Sequence, residues 1–172
     1  MRITFAAGIA VLVLAGAAGA IVNAGPVTPN VGAAGIKLGM TRAQVIAKLG
    51  KPVFKNANGY MQFGNEKKNI LFDVYLDTST NPQRVRLLGI SGRNFCLTGG
   101  GPCMWRPGGV GKLKTRYGKA LKTVKLEDGE KVIWLKGTLG GCKVFTDFGE
   151  AGRPNSAPLV MILMGYQSGH YC

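Results

Sequence analysis

The chain has 172 residues and a formal charge of +14, with 22 Lys and Arg against 8 Asp and Glu and a single histidine, His170. Hydrophobic residues make up 46%, enough for a packed core and too many for a disordered chain. One terminal histidine argues against His-based triads and multi-His zinc centres, and eight scattered carboxylates argue against a carboxylate-built metal site.

Arg2 is the only charge before Lys37, and Ile3 to Val22 is wholly apolar or Gly, Ala and Thr, centred on Ile9–Leu14. With small residues at Ala18 and Ala20, or Val22 and Ala24, residues 1–24 read as a secretory signal peptide, whose loss would leave +13. A retained membrane anchor, giving membrane contact through an uncleaved segment, is the competing reading. No cysteine stands near the cleavage region, which argues against a lipoprotein anchor. Cys96, Cys103, Cys142 and Cys172 all follow the signal, and an even count in an exported chain points to two disulfides. Three pairings are open. Cys96–Cys103 would close a short glycine-rich loop and leave Cys142–Cys172. A Cys₄ metal site lacks any C-x₂-C spacing.

Residues 25–35 read as a Pro/Gly/Asn linker. The run from Gly39 to Pro52 then carries every helix signal: Thr41 and Gln44 as a capping box, Met40 and Val45 as a staple, Val45, Ile46 and Leu49 as an apolar stripe, and Gly50 and Pro52 as the stop. Strand-like runs follow at Tyr60–Gly64, Ile70–Asp77 and Arg84–Ser91. In Ile70–Asp77, Ile70, Phe72, Val74 and Leu76 alternate with Leu71, Asp73, Tyr75 and Asp77. The order recurs downstream as a helix ending at Gly118 and runs at Lys131–Lys136, Cys142–Phe148 and Leu159–Tyr166. Gly50 and Gly118 lie 68 apart, Phe72 and Val144 72, Leu87 and Ile162 75. This near-constant offset predicts an α+β fold of two tandem units, each one helix followed by an antiparallel β-meander, stapled by disulfides. The units span 36–91 and 107–172, joined by a disulfide-pinned connector over 92–106. A single undivided domain is the alternative.

The run G-M-T-R-A-Q-V-I-A-K-L-G-K-P at 39–52 resembles the opening helix of the SmpA/OmlA (BamE-like) envelope proteins. Two such units in an exported, disulfide-bearing chain resemble the β-lactamase inhibitory protein architecture. The resemblance covers 36–91 well and the second half in order only. It implies a binding scaffold without catalytic machinery whose sheet presents a partner-binding face. The chain departs from the envelope proteins in lacking a lipidated cysteine.

Motifs for chemistry are weak. G-G-V-G-K at 108–112 lacks the phosphate-loop spacing and its hydroxyl residue, so no nucleotide or other cofactor is expected. No serine sits in G-x-S-x-G. Glu127-Asp128-Gly129-Glu130 reads as a hairpin turn. The cations are more telling. Lys112, Lys114, Arg116, Lys119, Lys122 and Lys125 cluster, and Arg84, Arg86, Arg93 and Arg106 form a looser group. They point to an anionic partner, an acidic protein or an anionic envelope polymer, with nucleic acid disfavoured by the absence of its motifs. Tyr75 and Phe145, each alternating with polar neighbours, are predicted to face outward and, with Tyr60 and Trp134, to anchor a partner. The expectation is a secreted, non-enzymatic binding protein of the envelope or periplasm. It would use a sheet face and the basic surface of Arg84, Arg86, Lys112, Lys114 and Arg116.

Overall fold

The computed structural model describes residues 23–65 and 69–171. The predicted signal lies outside these residues except for Asn23 and Ala24, and so does Cys172. No described helix is long and apolar enough to cross a membrane.

The first helix, α1 (Arg42–Leu49), forms for the local reasons its sequence carries. Thr41 Oγ1 accepts the Gln44 N–H at 3.3 Å, and Gln44 Oε1 accepts the Thr41 N–H at 2.8 Å. Gly50, at φ +77°, closes it with an N–H to the Ile46 carbonyl. Val45 and Leu49, one turn apart, are buried, whereas Ile46 is 37% exposed. Ile46 stands about 100° around the helix from Val45, and eight residues bury too narrow a stripe to include it. The second helix, α2 (Gly109–Tyr117), has no side-chain cap. Its first turn is satisfied instead by the chain at 155–157, where the Asn155 and Ala157 carbonyls accept the N–H groups of Gly111 and Val110 at 3.0 Å. That approach explains the glycines. A Cβ on Gly111 would stand 2.9 Å from the Asn155 carbonyl oxygen, and one on Gly109 2.9 Å from Leu159 N.

The strands are β1 (Pro26–Thr28), β2 (Gly32–Ala33), β3 (Ile36–Lys37), β4 (Phe54–Lys55), β5 (Tyr60–Asn65), β6 (Ile70–Asp77), β7 (Arg84–Gly92), β8 (Cys96–Leu97), β9 (Leu121–Lys125), β10 (Lys131–Leu139), β11 (Cys142–Glu150) and β12 (Met161–Tyr166). Eight form one antiparallel sheet in the order β4-β5-β6-β7-β12-β11-β10-β9. Residues 26–37, partly within the segment read as a linker, join Cys96–Leu97 in a mixed four-stranded sheet, β3-β2-β1-β8, where β1 and β8 run parallel.

This architecture corrects the α+β expectation. Strand makes up 44% and helix 14%, so the chain is mostly β. The two predicted meanders lie in one sheet. They fuse along the β7–β12 seam, with Ile162 opposite Ile90, into a single sheet. Had they stayed apart, β7 and β12 would each have left a row of unpaired N–H and C=O groups. A single cluster of buried residues accordingly runs through both halves: Phe63, Phe72 and Ile90 from one, Val144, Phe148 and Ile162 from the other, with Val45 of α1 and Leu113 of α2. Both helices and the small sheet cover the same face of the large sheet, because Val27, Ile36 and Leu97 belong to that cluster too.

The Cys96–Cys103 disulfide forms, with an S–S distance of 2.01 Å. Cys142 is also disulfide-bonded. An extracytoplasmic, oxidising compartment accords with these bonds.

Candidate functional site

The opposite face of the eight-stranded sheet carries no helix among the described residues. Its residues follow from strand register. Phe54, Gln62, Asp73, Gly89, Leu163, Asp147, Trp134 and Lys122 are successive cross-strand partners, one from each strand. A neighbouring row runs Tyr60, Tyr75, Leu87, Gly165, Phe145 and Lys136. None of these fourteen residues belongs to the core cluster.

Two aromatic–carboxylate clusters flank a glycine-lined centre. On one side the rings of Tyr60 and Tyr75 lie 4.9 Å apart, with Phe54 5.8 Å from Tyr60. The Tyr60 hydroxyl donates to Asp73 Oδ1 at 2.7 Å, and Gln62 Nε2 donates to the Tyr60 hydroxyl and to the same carboxylate. Burial, with Asp73 adding to it, pushes the Tyr60 hydroxyl up to about 12. Tyr75 is raised by burial and by Asp73, while Arg86 opposes the shift. On the other side Trp134 stacks on Phe145 at 4.4 Å and 15°, and the Lys136 ammonium lies 5.9 Å from the indole. Asp147, 9% exposed, is pushed above the ordinary carboxylate range by burial, against the opposing Gly149 N–H at 2.7 Å and the Trp134 indole. Trp134 Nε1 itself is buried without a hydrogen bond of normal geometry.

The centre stays low because Gly89 and Gly165 face leucines across the seam. A Cβ on Gly165 would stand 2.8 Å from Leu87 Cδ1, and one on Gly89 3.0 Å from Leu163 Cδ2. The surface is therefore a shallow apolar middle between two ring pairs, edged by Lys122, Lys136 and Lys143. Asp73 and Asp147 stand three strand spacings apart, roughly 14 Å. That exceeds the span of about 5–9.5 Å used by glycosidase carboxylate pairs, so these two acids do not form one.

The nine predicted binding residues are not all brought together. Tyr60, Tyr75, Trp134 and Phe145 share the outer face, and Arg86 enters it where the β6–β7 register shifts after Tyr75. Arg86 also donates to the Gly169 carbonyl at 2.8 Å. Lys112, Lys114 and Arg116 lie on α2, which packs on the covered face. Lys114 donates to Asn155 Oδ1 at 3.1 Å, and Arg116 to the carbonyls of Thr98 and Gly99. Arg84 is spent within the fold, donating to the Gly39 carbonyl at 3.0 Å with its guanidinium 5.1 Å from the Tyr171 ring centre. Asp77, predicted to face outward with Tyr75, is instead 2% exposed, because Ser79 and the backbone N–H of Tyr171 close over it. Gln62 and Lys136 are not singled out from sequence, and Lys122 only as one of the basic cluster; their place on this face follows from strand alternation only once the partner strands are known.

Among the described residues no group of three His, Cys, Asp or Glu is placed to hold a metal. Comparison with protein-family models, curated proteins and solved structures finds no match for this chain.

Proposed function

We propose that this chain is an exported, non-enzymatic binding protein of the cell envelope or periplasm whose uncovered sheet face docks an acidic macromolecular partner, a protein above all. The carrying observation is the outer face itself: four half-buried rings in two close pairs, Trp134 stacked on Phe145 and Tyr60 tilted against Tyr75, around a low apolar centre, with lysines at its edge. Rigid rings with little entropy to lose are the side chains that dominate protein interfaces, and peripheral cations steer an acidic partner. The G-M-T helix, with its resemblance to the SmpA/OmlA envelope proteins, fits an envelope-assembly factor. The likeness to an inhibitory-protein architecture fits an enzyme inhibitor. Both are protein-directed roles and share one test.

That test is affinity capture from a native envelope extract at low and moderate salt, comparing the wild-type chain with Tyr75→Ala and Phe145→Ala. A stoichiometric partner retained at moderate salt and lost with either substitution supports the reading. A captured species indifferent to both substitutions refutes it. The second reading, an electrostatic ligand of anionic wall polymer or membrane surface, draws on the exposed Lys112 and Lys119 around α2. It predicts capture that collapses as ionic strength rises and depends on those lysines rather than on the rings.

A further inference from the structure

A second concave site lies away from the sheet face, on the disulfide-bearing connector. A cavity of about 460 Å³ is lined by Arg93, Asn94, Met104, Trp105, Arg106 and Pro107. We propose that it binds a small oxyanion, phosphate or carboxylate, carried on a ring with an apolar face, with Arg93 and Arg106 holding the anion and Trp105 stacking on the ring.

The walls of this cavity are fixed by the fold. The disulfide joins Cys96 to Cys103, and the Met104 N–H donates to the Phe95 carbonyl at 2.7 Å just outside it. Phe95 and Met104 are buried, 0% and 1% exposed, so both limbs of the connector are anchored in the core. Arg93 and Asn94 are thereby held beside Trp105 and Arg106.

Trp105 adopts φ +60°, a left-handed conformation that is costly for a large side chain. Its N–H is locked to the carbonyl of Leu159, itself fully buried, at 2.7 Å. The backbone is thus held in a strained state that leaves the indole 40% exposed at the cavity. Asn94, on the facing limb, is also left-handed, at φ +69°.

The charge is uncompensated. No described carboxylate lies within ion-pair distance of either guanidinium; the ion pair found among the described residues is His170 with Asp77. Two guanidinium forks without a carboxylate, beside an exposed indole, match a ligand with negative charge at one end and a ring at the other. The volume falls in the range of small-molecule sites, about 300–1,000 Å³. A free sugar phosphate and an aryl phosphate or carboxylate share this chemistry.

The test is calorimetric titration of the full chain with phenyl phosphate, glucose 1-phosphate, inorganic phosphate and phenol, with indole fluorescence as a second readout. Saturable binding of either ring-bearing phosphate, at least about tenfold tighter than phosphate or phenol alone, is expected. Arg93→Gln and Arg106→Gln should each weaken it about tenfold or more, and Trp105→Ala should erase the ring's advantage. Tighter glucose 1-phosphate would mark a sugar-phosphate ligand; tighter phenyl phosphate would mark an aromatic acid. No saturable binding, or binding unchanged in the double arginine variant, overturns the proposal. Thermal melts establish that each variant is folded. Because the outer sheet face is untouched, partner capture by that face should persist in all four variants, so the two proposals fail separately.

Discussion

Asn30 and Thr146, 116 residues apart, hydrogen-bond to each other twice: the Asn30 N–H donates to Thr146 Oγ1 at 2.6 Å, and that hydroxyl donates to Asn30 Oδ1 at 3.0 Å. Thr146 is fully buried in β11, so its hydroxyl can be satisfied only by this contact. The pair fastens the small sheet to the large one. Thr146→Val keeps the shape and strands the Asn30 donor. It should lower unfolding free energy by about 1–3 kcal/mol, read from urea denaturation, with the m-value unchanged. Loss below a few tenths of a kcal/mol would mean that the contact does not hold the two sheets together.

Acid should unfasten the C-terminal segment. Asp77 is held at about 2 chiefly by the Ser79 hydroxyl, with help from the Ser79 and Tyr171 N–H groups and from His170, against the opposing effect of burial. A depressed carboxyl favours folding above its unfolded value, near 3.8, and loses that contribution as pH falls toward 2. For a shift from 3.8 to about 2, the effect is about 2 kcal/mol. Melting temperature should fall between pH 4 and 2 in the wild-type chain and flatten over that window in Asp77→Asn.

The Tyr60 hydroxyl reports on the outer face from the alkaline side. Its value of about 12 exceeds the unfolded value of 10, so the contribution to stability is complete below pH 10 and vanishes as pH rises through 12. Asp73→Asn removes two of the raising influences and leaves the largest, burial. Ultraviolet titration of the phenolate should then show one tyrosine ionising earlier than in the wild-type chain, yet still above 10.

Opening the disulfide should cost stability without unfolding the sheet. Cys96 and Cys103 close a loop of sequence separation 7, for which chain entropy gives about 2–3 kcal/mol. The paired Cys96→Ser and Cys103→Ser variant should melt lower by that amount and lose phenyl phosphate binding. The cavity limbs are aligned by the bridge, whereas the outer rings are positioned by strands.

Part of the fold is legible in neighbouring residues alone. The α1 boundaries are, because the capping box of Thr41 and Gln44 and the Gly50 stop act within a few residues. So is the inward set Ile70, Phe72, Val74 and Leu76, because side-chain alternation is intrinsic to an extended backbone. β9 is not: Leu121–Lys125 carries two lysines and lies at the sheet's edge, where charge suits the unpaired side and hides the strand pattern. The binding surface is half legible. Tyr75 and Phe145 read as outward from their polar neighbours, but nothing in the chain says that the α2 lysines lie on the far side of the sheet.

Amino-acid order alone sets the excess of positive charge, the ends of α1 and the face of most strand residues, since each depends on residues close together in the chain. Long-range packing sets the rest. It places the two halves in one sheet, stands Asp73 and Asp147 in one row too far apart to act together, and brings Arg93 to Trp105 and Arg106 around a cavity. Those outcomes rest on pairings between distant segments, and strand register, which local sequence does not encode, selects which side chains meet.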